Sequence, residues 1–212
     1  MKRFIRQPSA IDVSALLLPE LKKKLKILDN TRDDSLKGLL DVAVILIESY
    51  TWRILAECEV IGKFSEFTPS RANNQPMIDC ARAPVFDDAL ISITYRTQED
   101  TDINIEGFLE VVNEFGEVYI TEEPQETVAC TLYPVTVVFK AGYGEDDEGN
   151  WTCPIVLQEA ILNMAVYMFE NPSDCGAGGC TCSGTSENGV NLPKAVTMLL
   201  YPYVLRRYDY AV

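Results

Sequence analysis

One stretch constrains this chain more than any other. Leu36, Leu39, Leu40, Ala43, Ile47 and Tyr50 recur at the spacing that places side chains on one face of an α-helix. Val42, Val44, Ile45 and Leu46 widen the stripe until little of the helix is polar. A helix apolar nearly all round must be buried on several sides, in a core or against neighbouring subunits. It is not a membrane span, because the longest uninterrupted apolar run, residues 42–47, is far short of the ~20 residues a bilayer requires. Thr31 followed by Asp34 resembles a capping box at its start, and Asp33 and Asp34 favour the positive end of the helix dipole.

Three more helices surround it in the sequence. Pro19 predicts the first position of a short one, where its missing N–H is no loss. Leu21, Leu25 and Leu28 follow at helical spacing among Lys22, Lys23, Lys24 and Lys26. Pro154 opens another with the stripe Leu157, Ile161, Met164 and Met168, closed by Asn171-Pro172. The last begins near Pro193 and carries Val196, Leu199, Leu200 and Tyr203. Pro202 disfavours the α conformation at Tyr201 and should kink or end it.

Between the second and third helices the period shortens. Residues 58–67 partly alternate, residues 89–95 are β-branched and aromatic, and residues 134–139 form a strong strand pattern. Residues 108–112 and 118–120 flank a turn and predict a hairpin. The expected fold is α+β, mainly α. Residues 1–54 hold the N-terminal helices of the core, and residues 55–141 an inserted small antiparallel β module. Residues 142–172 hold a further core helix, residues 173–191 a Cys/Gly-rich loop, and residues 192–212 the C-terminal helix and tail.

Composition narrows function. In 212 residues, 18 Lys and Arg against 32 Asp and Glu give a net charge of −14. A domain that grips phosphates needs a basic face, so nucleic-acid binding of that kind is disfavoured. A protein past which DNA moves without adhering remains compatible. There is no histidine, which removes His-based acid–base catalysis and every His-containing metal site. The start is basic but lacks the apolar stretch of a signal peptide, so a soluble protein made in a reducing cytoplasm is expected. Seven cysteines cannot all pair internally.

Candidate sites are few. Cys175, Cys180 and Cys182 on a Gly-rich loop offer three thiolates, whereas zinc and iron–sulfur sites usually need four ligands. Cys153 could supply the fourth; a redox-sensitive Cys180–Cys182 pair, or a reduced surface loop, are the other readings. The acidic run at residues 145–148 misses the glycine and glutamate positions of a calcium loop and reads as a solvated loop. Asp33-Asp34 and Asp87-Asp88 are better caps and turn formers than paired catalytic acids. Gly142-Tyr143-Gly144 lacks a phosphate-binding lysine and is followed by four acids. From the residues alone an enzyme is the weaker class and no cofactor or metal is expected, while the apolar helices and the aromatic–basic tail favour assembly.

The order of elements resembles the head–tail connector proteins of tailed bacteriophages, also called adaptor or head-completion proteins. Its sharpest pieces are Ala141-Gly142-Tyr143-Gly144, the helix ending Glu170-Asn171, and Leu200-Tyr201-Pro202-Tyr203. Relative to that family the Cys/Gly loop is an insertion, and its role does not carry over. The resemblance implies a structural virion protein of the neck, assembled in the host cytoplasm and without enzymatic activity. It implies a homo-oligomeric ring, of twelve copies, docked on the portal protein. The ring extends the DNA channel without specific DNA binding and presents a surface to the next neck or tail-completion protein, with no membrane involved. Leu36, Leu40, Ala43, Ile47, Leu157, Ile161 and Met164 are the candidates for subunit packing. Tyr203, Leu205, Arg206, Arg207, Tyr208 and Tyr210 are the candidates for portal binding, since Tyr and Arg anchor protein interfaces. The alternative is a small metal-binding or redox protein using the Cys175/Cys180/Cys182 loop.

Overall fold

The structure, a computed structural model, describes residues 2–69, 76–79, 90–105, 109–112, 117–120, 130–172 and 192–204. The chain forms two compact units, one of residues 1–10 and 56–143, the other of residues 11–55 and 144–212.

The first unit is built of strands. Its five-stranded sheet has the order β1 (Lys2–Arg6), β2 (Cys58–Phe64), β9 (Val135–Ala141), β5 (Leu90–Arg96), β6 (Asp102–Ile105), with every neighbouring pair antiparallel. Period-two alternation sets the register. Val60 lies opposite Phe139, and both are buried, while Glu59 and Lys140 lie opposite one another and are exposed. A smaller sheet has the order β3 (Thr68–Pro69), β4 (Pro76–Asp79), β8 (Glu117–Ile120), β7 (Leu109–Val112). The β7–β8 pairing is the hairpin expected from the sequence. Strand β1 was not foreseen. Its sequence is mostly charged, as suits an edge strand, and Phe4 packs edge-to-face on Phe64 with ring centroids 5.6 Å apart.

The second unit is helical: α1 (Val13–Leu25), α2 (Asp33–Thr51), α3 (Ile155–Glu170) and α4 (Lys194–Leu200), followed by a 3-10 turn at Tyr201–Tyr203. Helix α3 packs against α1, α2 and α4, which is why its apolar side chains run round most of its circumference. Pro202 ends α4 as expected, and α3 stops before Asn171-Pro172.

Helix α1 departs from expectation. It begins at Val13, and Pro19 sits inside it on an exposed face. The start signal is Asp12, whose side chain accepts the N–H of Ala15 at 2.9 Å and Ser14 Oγ at 2.8 Å. These bonds hold the Asp12 carboxyl below its usual range, the Ala15 N–H contributing most. The helix also ends earlier than the leucine spacing suggested, so Leu28 lies beyond it. Thr31 does not cap α2; its hydroxyl is engaged by Asp29, and α2 begins without a side-chain cap. Asp33 and Asp34 do occupy the first turn. The fold is α+β, with four α-helices beside nine strands among the described residues, and that count shows no clear weight toward helix.

Candidate assembly surface

The seven side chains picked out by helical spacing are interior. Leu36, Leu40, Ala43 and Ile47 on α2, and Leu157, Ile161 and Met164 on α3, are each at most 1% exposed within the single chain. They form the core of the helical unit, so the apolar surface left for a neighbour is made by other residues. On α2 the outward face carries Gly38, Asp41, Val42, Ile45 and Ser49, of which Ile45 is 60% exposed. Among the described residues, nine large apolar side chains stand well out in solvent. Eight belong to the helical unit (Leu16, Leu28, Val42, Ile45, Ile155, Val156, Met198 and Tyr201), and only Leu132 to the β unit. Single exposed apolars are ordinary, and among the described residues most of these lie in the helical unit.

One end of the helical unit is held by several local hydrogen bonds. Lys26 adopts φ +56°, and Ile27 N–H donates to Lys22 O at 2.9 Å, which closes α1 with a left-handed cap. Lys22 Nζ then reaches across the turn to Asn30 Oδ1 at 2.6 Å and Asp33 Oδ1 at 2.7 Å. Asp29 accepts the hydroxyl and the N–H of Thr31, which holds its carboxyl below the usual range. At the apex of this braced turn Leu28 is 98% exposed. Lys24 pairs with Glu159 at 2.7 Å, so the last turn of α1 lies beside the first turns of α3.

The acidic run precedes that same end of α3. It is a small hairpin in which Glu145 bridges to Trp151 and Asp146 N–H donates to Asn150 O at 2.9 Å. Asp146 Oδ1 accepts the N–H of Asn150 at 2.8 Å and of Glu148 at 3.0 Å. These bonds, led by that from Asn150, lower the Asp146 pKa. Its oxygens are therefore committed to the backbone of the turn rather than arranged round a cation. Glu145, Asp147 and Glu148 remain exposed.

At the far end of α2, Arg53 Nε donates to Tyr203 O at 2.6 Å, and the buried Glu48 accepts the N–H of Leu55 at 2.8 Å. Tyr203 is half-buried, and its main chain is thereby tied to the α2 terminus. Leu205, Arg206, Arg207, Tyr208 and Tyr210 lie outside the described residues, as do Asp87, Asp88 and the Cys/Gly loop with Cys175, Cys180 and Cys182. Cys153 is buried, and desolvation pushes its thiol up to about 12, the opposite of what a thiolate ligand requires. Among the described residues no group of three or more His, Cys, Asp or Glu is placed to hold a metal ion. Asp33, half-exposed, is the partner of Lys22.

Gly142 in the Gly-Tyr-Gly segment has a structural task. Its φ is +104°, and a Cβ there would stand 2.4 Å from Ala56 O. The chain crosses itself at this point, with Glu57 N–H donating to Tyr143 O at 3.0 Å.

No family model matches the sequence, and no curated relative matches it. Solved structures do match, along nearly the whole chain. One is a chain in the neck of an empty GTA particle computed with C6 symmetry; it is 15% identical, 98% of each chain is covered, and the TM-score is 0.69. A second comes from the virion of a native gene transfer agent (GTA) particle, 17% identical over 98% of this chain and 97% of that one, with a TM-score of 0.64. A third lies in the neck of a native GTA particle computed with C12 symmetry, 17% identical over 97% of this chain and 98% of that one, with a TM-score of 0.60. The chain thus has the fold of chains in the necks of GTA particles, in agreement with the head–tail connector resemblance of its sequence.

Proposed function

We propose that this protein is a structural component of a phage-type virion neck. Copies form a ring that docks on the portal, extends the DNA channel and receives the next neck or tail component. The observation that carries this reading is the full-length likeness to neck chains, with a TM-score of 0.69 over 98% of both. Particles holding those chains were computed with six- or twelvefold symmetry, which supports a ring here. The concentration of exposed apolar side chains on the helical unit supports lateral packing there. Twelve copies at −14 give 12 × −14 = −168, a charge that keeps passing DNA from adhering. The role is one of assembly, with no reaction assigned.

The tail is the proposed portal-binding element, with Tyr203, Leu205, Arg206, Arg207, Tyr208 and Tyr210 as its contacts. The test is co-expression with the portal protein, followed by pull-down and electron microscopy. Rings on the portal are expected from the full chain, whereas a chain ending at Tyr201 stays folded and does not bind. Undiminished binding by that truncation removes the tail assignment, and absence of any portal-bound ring from the full chain removes the functional reading.

A further inference from the structure

Two rigid turns at one end of the helical unit have complementary chemistry. The α1–α2 turn is braced by the Lys26 cap, the Lys22 bridges and the Asp29–Thr31 bonds, yet it holds Leu28 out at 98% exposure. Beside it are two exposed cations. Lys26 has no ion pair among the described residues, and Lys23 has only a loose 3.7 Å approach to Glu20. The second turn, the hairpin of residues 144–152, shows Glu145, Asp147 and Glu148 to solvent and leads into Ile155, which is 76% exposed, and Val156. One feature is an apolar knob flanked by exposed lysines on one side and by Asp29, bonded to Thr31, on the other; the second is an apolar patch among acids.

We infer that the α1–α2 turn of one copy docks on the hairpin and α3 start of the next copy, Leu28 against Ile155 and Val156, Lys23 and Lys26 against Glu145, Asp147 and Glu148. The inference rests on the ring reading and specifies its lateral contact. Three arguments favour a second copy as occupant. A chain of net charge −14 repels itself, so a contact in which a local basic patch meets an acidic one is favoured over other pairings of two copies. A ring needs two different surfaces that fit each other, and these two differ in the required way. Both turns are also ordered by their own hydrogen bonds, so docking them costs little further ordering.

The test uses the full chain assembled on its portal, scored by native mass spectrometry and micrographs. Leu28→Asp should lower ring yield by about tenfold or more while the isolated chain keeps its melting temperature, because the side chain is 98% exposed. The double variant Lys23→Glu with Lys26→Glu should fail likewise. Adding Glu145→Lys, Asp147→Lys and Glu148→Lys to it should restore rings. Normal rings from Leu28→Asp overturn the inference and leave the ring reading intact. Loss without rescue by the reversed hairpin overturns the second copy as occupant and assigns the turn to the portal or another neck protein. If the unmodified chain forms no ring, both fall together.

Discussion

Substituting Gly142 by alanine should destabilise the β unit by about 3 kcal/mol, and the sum can be worked from two features. The residue holds φ +104°, a conformation that costs an L side chain on the order of 1–3 kcal/mol. The new methyl would lie 2.4 Å from Ala56 O and 2.5 Å from its carbonyl carbon, a backbone neighbour that no rotamer change can move. Relief means separating the two segments, which gives up the 3.0 Å bond from Glu57 N–H to Tyr143 O, a loss of roughly 0.5–1.5 kcal/mol. Gly149 is the matched control. It also has positive φ, +80°, but a Cβ there meets nothing within 4 Å. Gly149→Ala should therefore cost only the conformational part, about 1–2 kcal/mol. The gain from a stiffer unfolded chain is common to both substitutions and cancels in the comparison.

The two glycines belong to different units, so a single melting curve would mix them. Hydrogen exchange read by mass spectrometry along a urea series scores each where it acts: β2 and β9 peptides for Gly142, the hairpin and α3 for Gly149. With a slope of about 2 kcal/mol per molar urea, a 1–2 kcal/mol excess appears as a further 0.5–1 M drop in midpoint. A Gly142→Ala midpoint that falls no further than that of Gly149→Ala would refute the crossing as the reason for this glycine.

Glu48→Ala leaves the Leu55 N–H without its buried acceptor and should cost roughly 1–3 kcal/mol, read by urea midpoint; a loss below 0.5 would mean that water replaces the carboxylate. Asp12→Ala removes the α1 cap and should cost about 1 kcal/mol at neutral pH. Because the Asp12 pKa is lowered in the folded chain, that difference is present above its ordinary value of 3.8 and vanishes as pH falls through the folded value. Cys153 should resist alkylation at pH 8 in the native chain while Cys130 reacts, as followed by peptide mass spectrometry. Its pKa is raised, so the sign is reversed: its contribution holds below pH 9.0 and is lost as pH climbs toward about 12.

Much of the helical unit was legible because period 3.6 leaves a clear trace. Leu36, Leu40, Ala43 and Ile47 do lie on one face, and Pro154, Asn171 and Pro202 do mark boundaries. The errors have local causes. Pro19 suits a helix start, but Asp12 supplies the stronger signal, and the ring of Pro19 sits on a solvent-facing side of α1. Strand β1 was invisible because a short, charged segment has no reason to be extended until β2, more than 50 residues later, lends it a ladder: Lys2 pairs with Phe64. Leu28 was counted in the α1 stripe because spacing cannot see where a left-handed residue stops a helix.

The surface was less legible than the core, for a reason that lies in the signal itself. Periodicity reports that a face is apolar, not what covers it. In α2 the strongest stripe is satisfied by α3 and the rest of its own unit, so those residues have nothing left to give a neighbour. What distinguishes an assembling helix from a core helix is the apolar residue on the wrong side of the stripe, such as Val42 and Ile45 facing water beside Gly38 and Ser49. The regular part of the α2 pattern is core, and its extra width is what leaves Val42 and Ile45 exposed. The same logic applies to Leu28. A leucine placed after a helix stop and before Asp29-Asn30 has no core to enter, and a turn braced by three sets of hydrogen bonds keeps it from folding back. The hydrogen bonds of the turn keep this residue in water, and the proposed contact with a second copy is what would cover it.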